Sequence, residues 1–332
     1  MLPVDRWQNQ KGVTNMCKKP LLILTGPTAV GKTGLSISLA QRLGGEIISA
    51  DSMQVYRGMD IGSAKITEEE KCGIEHHLID ILSPLDPFDV TMFQSLAREA
   101  IDKILKRGKL PIVVGGTGFY IQALLYGVDF SEAASDPEYR TKLEQYVKEH
   151  GPNSLHDRLK EVDPEGAAAI HPNNIKRVIR ALEFYETGGS KISEHNEAQR
   201  ARESEYDFRY FVLTDDRAVL YDRIDRRVDL MMEAGLPEEV AGLKAIGCAR
   251  GMTSMQGIGY KEILDALNGI ISMDEAVYLI KRDSRHFAKR QLTWFRREKE
   301  VIWLDRRTHP SEQELLDKIL EEVPDAWIRS EI

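Results

Sequence analysis

The chain has 332 residues, 42% of them apolar, which suffices for one large or two ordinary domains with a real core. Its net charge of −8 excludes a general charge-driven polyanion binder but leaves room for a selective one, since the charge is unevenly spread. No apolar run approaches the ~20 residues that span a bilayer. Cys17, Cys72 and Cys248, scattered and without a C-x2-C pair, suit a reducing cytoplasm and argue against a zinc site.

Residues 1–19 are polar and lack the apolar core of a signal peptide, so they read as a disordered extension of a cytoplasmic protein. Residues 21–24 predict a buried strand. Gly26-Pro27-Thr28-Ala29-Val30-Gly31-Lys32-Thr33 then completes a Walker A pattern, and residues 33–43 predict a helix. In that strand–loop–helix setting the glycines let backbone N–H groups curl around a phosphate, helped by the positive end of the helix dipole. Lys32 would reach the terminal phosphates and Thr33 would offer its hydroxyl to Mg2+. The ordinary alternative is a glycine-rich βα turn, and the motif alone does not say that the ligand is a nucleotide.

A second strand over 46–50 ends at Asp51. A carboxylate there would hold Mg2+ or accept a proton from a nucleophile, unless it merely forms a turn with local backbone. A helix over 93–106 and a buried strand over 110–114 follow, closed by Gly115-Gly116-Thr117-Gly118. A P-loop hydrolase usually carries an acidic residue at that strand end. Its replacement by Thr117 weakens a hydrolase reading and leaves a hydroxyl for a phosphate oxygen or a substrate edge. Strands separated by helices imply a parallel sheet covered on both faces, with ligands beyond the carboxyl ends of the strands.

After Gly127 the texture changes. Charged helices over 136–150 and 154–162, joined by Gly151-Pro152, and another over 173–186 read as a helical insertion spanning 128–200. The core continues over 201–332 with a strand at 206–213, helices at 217–233 and 237–246, a turn at Gly257 and Gly259, a long helix at 274–297 and a strand at 301–304. Arg223 and Arg227 share a helical face, which suits phosphate recognition by guanidinium groups but equally a solvated, salt-bridged surface, the more ordinary reading. Residues 281–299 hold eight basic side chains against Asp283 and Glu298. Arg282, Arg285, Lys289 and Arg296 form a stripe anchored by Phe287, Leu292, Trp294 and Phe295, and Lys176, Arg177 and Arg180 form another. Such stripes can follow a phosphodiester backbone, although most charged helix faces are simply solvated. His76-His77 points in two directions with no third ligand at a sensible spacing, and reads as structural.

Taken together, these segments resemble the tRNA dimethylallyltransferase family, also called tRNA isopentenyltransferases. The resemblance rests on the Walker segment, on Asp51-Ser52-Met53-Gln54-Val55-Tyr56 with Gly58-Met59-Asp60-Ile61-Gly62, and on His76-His77-Leu78-Ile79-Asp80. It continues through Val114-Gly115-Gly116-Thr117-Gly118-Phe119-Tyr120, His171-Pro172-Asn173-Asn174, Gly257-Ile258-Gly259-Tyr260-Lys261 and Ala288-Lys289-Arg290-Gln291-Leu292-Thr293-Trp294-Phe295. The ordered set runs from about residue 20 to residue 303.

The resemblance implies an α/β fold: a P-loop NTPase-like core, its parallel sheet flanked by helices, plus a helical insertion domain. It implies transfer of a dimethylallyl group from dimethylallyl diphosphate to N6 of adenine 37 in tRNA, by a cytoplasmic monomer with no membrane partner. By carry-over, Asp51 is the general base, Thr117 lies near the reacting centre and Arg223 neutralises pyrophosphate. Gly26, Thr28, Ala29, Val30, Gly31, Lys32 and Thr33 would hold the diphosphate, with Mg2+ on Thr33. Contacts to tRNA fall on Asp51, Ser52, Met53, Gln54, Thr117, Arg140, Lys176, Arg177, Val178, Ile179 and Arg180. They continue on Gln256, Gly257, Ile258, Gly259, Tyr260 and Lys261, and on Ser284, Arg285, His286, Phe287, Ala288, Lys289, Arg290 and Gln291. A P-loop kinase of a small metabolite, with Asp51 activating a hydroxyl, and a nucleotide-dependent RNA-binding switch are the rival readings.

Overall fold

The computed structural model describes residues 18–128, 136–200 and 202–327, so most of the N-terminal extension read above lies outside it. Six parallel strands form one sheet: β1 (Lys19–Thr25), β2 (Gly45–Ala50), β3 (His76–His77), β4 (Leu110–Gly115), β5 (Tyr206–Thr214) and β6 (Val301–Asp305). Their order is β3-β2-β4-β1-β5-β6. Leu21, Leu22, Ile23 and Leu24 of β1 are wholly inaccessible. A central strand covered on both faces has no polar side to show, which is why its sequence is a continuous apolar run.

Twelve helices complete the described chain. In order they are α1 (Lys32–Leu43), α2 (Val90–Lys106), α3 (Gly118–Tyr126), α4 (Pro137–Val162), α5 (Pro164–Ala169) and α6 (Ile175–Gly188). They continue with α7 (Ile192–Arg200), α8 (Arg217–Glu233), α9 (Leu236–Ala245), α10 (Tyr260–Leu267), α11 (Met273–Phe295) and α12 (Glu312–Glu322). The chain forms two compact units, one running up to Leu124 and resuming at Glu205, the other Leu125–Ser204. In the first, Leu22, Leu24, Ile112 and Phe211 of the sheet pack with Leu35 and Leu39 of α1, Ile224 of α8 and Ile319 of α12.

The second unit is helical. Its α4 breaks at Gly151, whose φ of 80° and ψ of 167° are far from helical, immediately before Pro152. Leu143, Leu155, Leu159, Val178, Ile179 and Leu182 form its core. Glu183 is fully buried there and accepts from Arg140 at 2.8 Å, from Arg180 at 3.2 Å and from the Asp136 N–H at 2.9 Å. Burial alone would raise this carboxyl, but its three donors outweigh that and hold it below the ordinary carboxylate range.

Elements absent from the sequence reading have physical causes. α3 is apolar almost all round, so it shows no helical periodicity. β3 has only two residues, and they are the histidine pair. His77 Nε2 lies 2.8 Å from buried Glu46, which also meets Arg107 and, at 2.8 Å, Lys109. Glu46, Glu75 and His77 could converge on a cation, but Arg107 and Lys109 already balance the central carboxylate.

The register of the strands decides where chemistry is possible. Ala50 and Thr25 both pair with Gly115, so β1, β2 and β4 end at one level. A Cβ on Gly115 would overlap the Ala50 carbonyl, a backbone atom that cannot swing aside. Gly115→Ala is therefore expected to destabilise the protein by about 1–3 kcal/mol through overpacking. An unchanged urea-unfolding midpoint would show that the strand ends have slack.

Candidate active site

The loop after β1 is shaped by left-handed backbone at Gly31 (φ 90°), the residue just before α1, and at Ala29 (φ 62°). Lys32 folds back over it, its ammonium donating to the carbonyls of Gly26 at 3.0 Å and Pro27 at 2.9 Å. Burial, and secondarily the nearby Arg227 guanidinium, push the Lys32 ammonium down to about 8, against the opposing pull of Asp51. The loop thus holds a cation with more positive than negative charge around it. Such a site gains most when an anion arrives.

Asp51 sits just past β2. Its Oδ1 accepts from the Met53 N–H at 2.8 Å and, more weakly, the Gln54 N–H at 3.4 Å. This is the turn-forming role anticipated as the ordinary alternative, but it occupies one oxygen. Oδ2 makes no hydrogen bond among the described residues. Thr117 follows β4, its N–H donating to the Ala50 carbonyl at 3.3 Å. Gln291, buried on α11, accepts from the Thr28 N–H at 3.0 Å and donates to the Gly116 carbonyl at 2.9 Å. One side chain thereby ties the phosphate loop to the end of β4.

Thr28, Asp51, Thr117 and Gln291 border a cleft of about 400 Å3, and Thr28 is the one residue of the phosphate loop in its lining. Thr28, Asp51, Thr117 and Arg227 make its polar end, while Met53, Ile224, Val228, Met231 and Ile280 make an apolar flank. Gly62 and Ser63 form another wall, held from behind by α9. Glu239 accepts from the N–H groups of Asp60 (2.9 Å), Ile61 (2.7 Å) and Gly62 (3.1 Å). It also accepts from the Tyr260 hydroxyl at 2.8 Å, and that hydroxyl in turn accepts from the Ser63 N–H at 3.0 Å.

The structure gathers many, but not all, of the residues picked out from sequence. Ser52, Gln256, Gly257, Ile258, Lys261, Ser284, Phe287 and Arg290 line the same cleft as Asp51. Arg223 does not line it. That side chain is exposed and pairs with Asp215 at 2.7 Å, and the cleft receives Arg227, one turn further along α8. Several residues expected to touch RNA are buried: Val178 and Ile179 in the helical core, Ala288 in the sheet-domain core, Tyr260 and Gln291 in the contacts described, and Gly257 and Gly259 as well.

Among the basic residues, Arg285 is taken by Asp225 at 2.5 and 2.7 Å, Lys281 by Asp229 at 2.5 Å and Arg282 by Asp283 at 2.8 Å. Arg140 and Arg180 are taken by Glu183. Lys176, Arg177, Lys289 and Arg290 are exposed and have no carboxylate partner among the described residues. Gln54 is held internally by Ser49 at 3.1 Å. His286 and Gly259 lie outside the cleft lining, His286 beside Lys289 in a shallow groove on α11. Sequence reasoning missed the bridging role of Gln291, the Gly62–Ser63 wall and Arg306, which packs on Gly31. Only the last had a usable signal, a basic residue just after the final strand.

Comparison with known proteins agrees with this geometry. The family model described as IPP transferase matches residues 54–298, and one described as isopentenyl transferase matches residues 19–82. The chain belongs to the IPP transferase family. A tRNA dimethylallyltransferase of Lachnoclostridium phytofermentans is 57% identical over 302 residues, covering 91% of this chain and 96% of that protein. A solved tRNA isopentenylpyrophosphate transferase of Bacillus halodurans is 48% identical with a TM-score of 0.69, covering 92% of this chain and 96% of its own. A eukaryotic dimethylallyltransferase acting on tRNA is 30% identical with a TM-score of 0.76, covering 94% of this chain and 81% of that one. The sheet and its flanking helices are accordingly the P-loop NTPase-like fold of this prenyl-transferring family.

The depressed Lys32 gives a sign-definite pH dependence. Below pH 8 the ammonium is already charged and binding an organic diphosphate requires no proton uptake. Above pH 8 the ligand must draw a proton onto Lys32, so the Kd is expected to rise by up to about tenfold per pH unit until the pKa of the complex is reached. Calorimetric titration between pH 7 and 9.5 measures it. A flat Kd across that range would remove Lys32 from the diphosphate site.

Proposed function

We infer that this IPP transferase moves a dimethylallyl group from dimethylallyl diphosphate to N6 of adenine 37 in tRNA, releasing pyrophosphate. The observation that carries the reading is the composition of one cleft. A phosphate loop and a carboxylate with one uncommitted oxygen adjoin an apolar flank of Ile224, Val228, Met231 and Ile280, and no acid ends β4. A phosphate loop facing a wet polar pocket would suit a kinase. This flank suits a short isoprenoid.

In the transfer, the N6–C1 bond forms as the C1–O bond breaks, and the bonding pair leaves on pyrophosphate. The phosphate-loop amides and Lys32, with Arg227 beside them, stabilise charge as it gathers on that oxygen. The N6 proton passes to Asp51, whose hydrogen-bonded Oδ1 fixes the carboxylate and leaves the other oxygen to receive it. The adenine must leave its stack to reach the cleft, and the apolar flank keeps water from the allylic carbon. Thr33 is exposed at the start of α1 with its hydroxyl unengaged among the described residues, and so fits a Mg2+ ligand beside the diphosphate oxygens. Bound there, Mg2+ would supply charge neutralisation for the leaving group.

Exposed Lys176, Arg177, Lys289, Arg290 and Arg296 are among the cations free to follow the RNA backbone. We take the enzyme to act as a monomer. No described helix is long and apolar enough to cross a membrane, and we place the reaction in the cytoplasm, where unmodified tRNA is met.

Purified protein given labelled dimethylallyl diphosphate and an unmodified anticodon stem-loop is expected to label the RNA without ATP. Asp51→Ala should lower that turnover roughly 10²–10⁴-fold while RNA binding changes little. Near-normal turnover would refute the base assignment, and ATP consumption with a small acceptor would favour the kinase. For RNA affinity, Lys289→Ala should flatten the dependence of log K on log salt by roughly one charge. Arg285→Ala should leave that slope alone and instead lower stability, because its partner is Asp225. Equal slopes for wild type and Lys289→Ala would make the stripe mere surface.

A further inference from the structure

Arg306 follows β6 immediately, and its backbone N–H donates to the Thr214 carbonyl at 3.0 Å, which pins it at the carboxyl edge of the sheet. Its side chain runs onto the phosphate loop. A Cβ at Gly31 would lie 2.6 Å from Arg306 Nη2, and that nitrogen reaches the Gly31 carbonyl only at a long 3.4 Å. Nε is buried without a hydrogen-bond partner among the described residues. A buried donor left unmade is costly, and a charged one more so. Asp215 and Glu312 attract it, but neither makes a hydrogen bond to it among the described residues. Asp215 is committed to Arg223 at 2.7 Å, and Glu312 accepts from the Ser38 hydroxyl at 2.6 Å. Burial, and then the neighbouring Arg223, hold the Arg306 guanidinium below its ordinary range.

A half-buried guanidinium packed on a phosphate loop, hydrogen-bonded to no carboxylate among the described residues and close to a second arginine, is arranged for an anion that comes with the ligand. We propose that Arg306 is a second phosphate-binding cation of this site, engaging the terminal phosphate of the donor diphosphate and of the released pyrophosphate from the Gly31 side. It would act on the same loop as Lys32. The planar fork can give two parallel N–H donors to one phosphate, which a lysine cannot. The proposal rests on the diphosphate reading of the loop.

The test measures pyrophosphate binding by calorimetry, and RNA binding in parallel, for wild type, Arg306→Ala, Arg306→Lys and Lys32→Met, with thermal unfolding of each as a control. A lost charge-assisted contact should weaken pyrophosphate binding by about tenfold or more in Arg306→Ala. Arg306→Lys should fall between it and wild type, RNA affinity should hold, and the KM for dimethylallyl diphosphate should rise in step. Unchanged pyrophosphate affinity in both Arg306 variants, with loss in Lys32→Met, would overturn the proposal and leave the loop's assignment standing. Weakened RNA binding with intact pyrophosphate binding would also overturn it, since the guanidinium would then serve an RNA phosphate. No loss even in Lys32→Met would remove the diphosphate reading itself. Should Arg306→Ala unfold, the Lys variant decides by the same readout.

Discussion

The contact on which the site depends is between backbones: β4 lies so close to β2 that Gly115 has no room for a side chain against the Ala50 carbonyl. With Thr25, Ala50 and Gly115 in register, three loops leave the sheet at the same height. The phosphate loop, Asp51 and Thr117 meet because of that register and not through any pairing among themselves. Gln291 then closes the arrangement from α11, joining two of those loops through one amide side chain. An amide suits this because it donates and accepts at once, and carries no charge to compete with a phosphate.

Electrostatics divides the molecule sharply. Over most of the surface, acids and bases neutralise one another, including several arginines that looked available in the sequence. Around the phosphate loop the matching fails: Lys32, Arg227 and Arg306 gather there, and Asp51 spends one oxygen on its own backbone. An overall acidic protein can therefore hold a polyanion, because the excess positive charge is concentrated where shielding by solvent is weakest.

Much of the core was legible from residue order. The buried runs of β1 and β4 and the alternation of strand and helix leave little choice but a parallel sheet, and the Walker segment locates its working edge. The helices over 137–162 and 217–233 follow from periodicity, and even the break at Gly151 was readable from Gly151-Pro152. What escaped was whatever depends on partners distant in sequence. Nothing near Arg285 announces Asp225, and nothing near Glu239 announces the amides of residues 60–62. Val178 and Ile179 lie between the basic residues of α6, and only the packed helix shows which of them turn inward. The different surroundings of Arg223 and Arg227 are of the same kind: both share a helical face, and only the packed structure shows that Arg227 lines the cleft while Arg223 pairs with Asp215.

The clasp between Glu239 and the loop before β3 has an implication for how such a catalyst diversifies. The wall formed by Gly62 and Ser63 is bonded to a carboxylate and a hydroxyl from other helices, so its position depends on α9 as well as on its own sequence. Small shifts of that helix would widen or narrow the chamber while every group that meets the reactants keeps its identity. Tolerance for bulkier allylic chains should consequently evolve, or be engineered, from behind the wall.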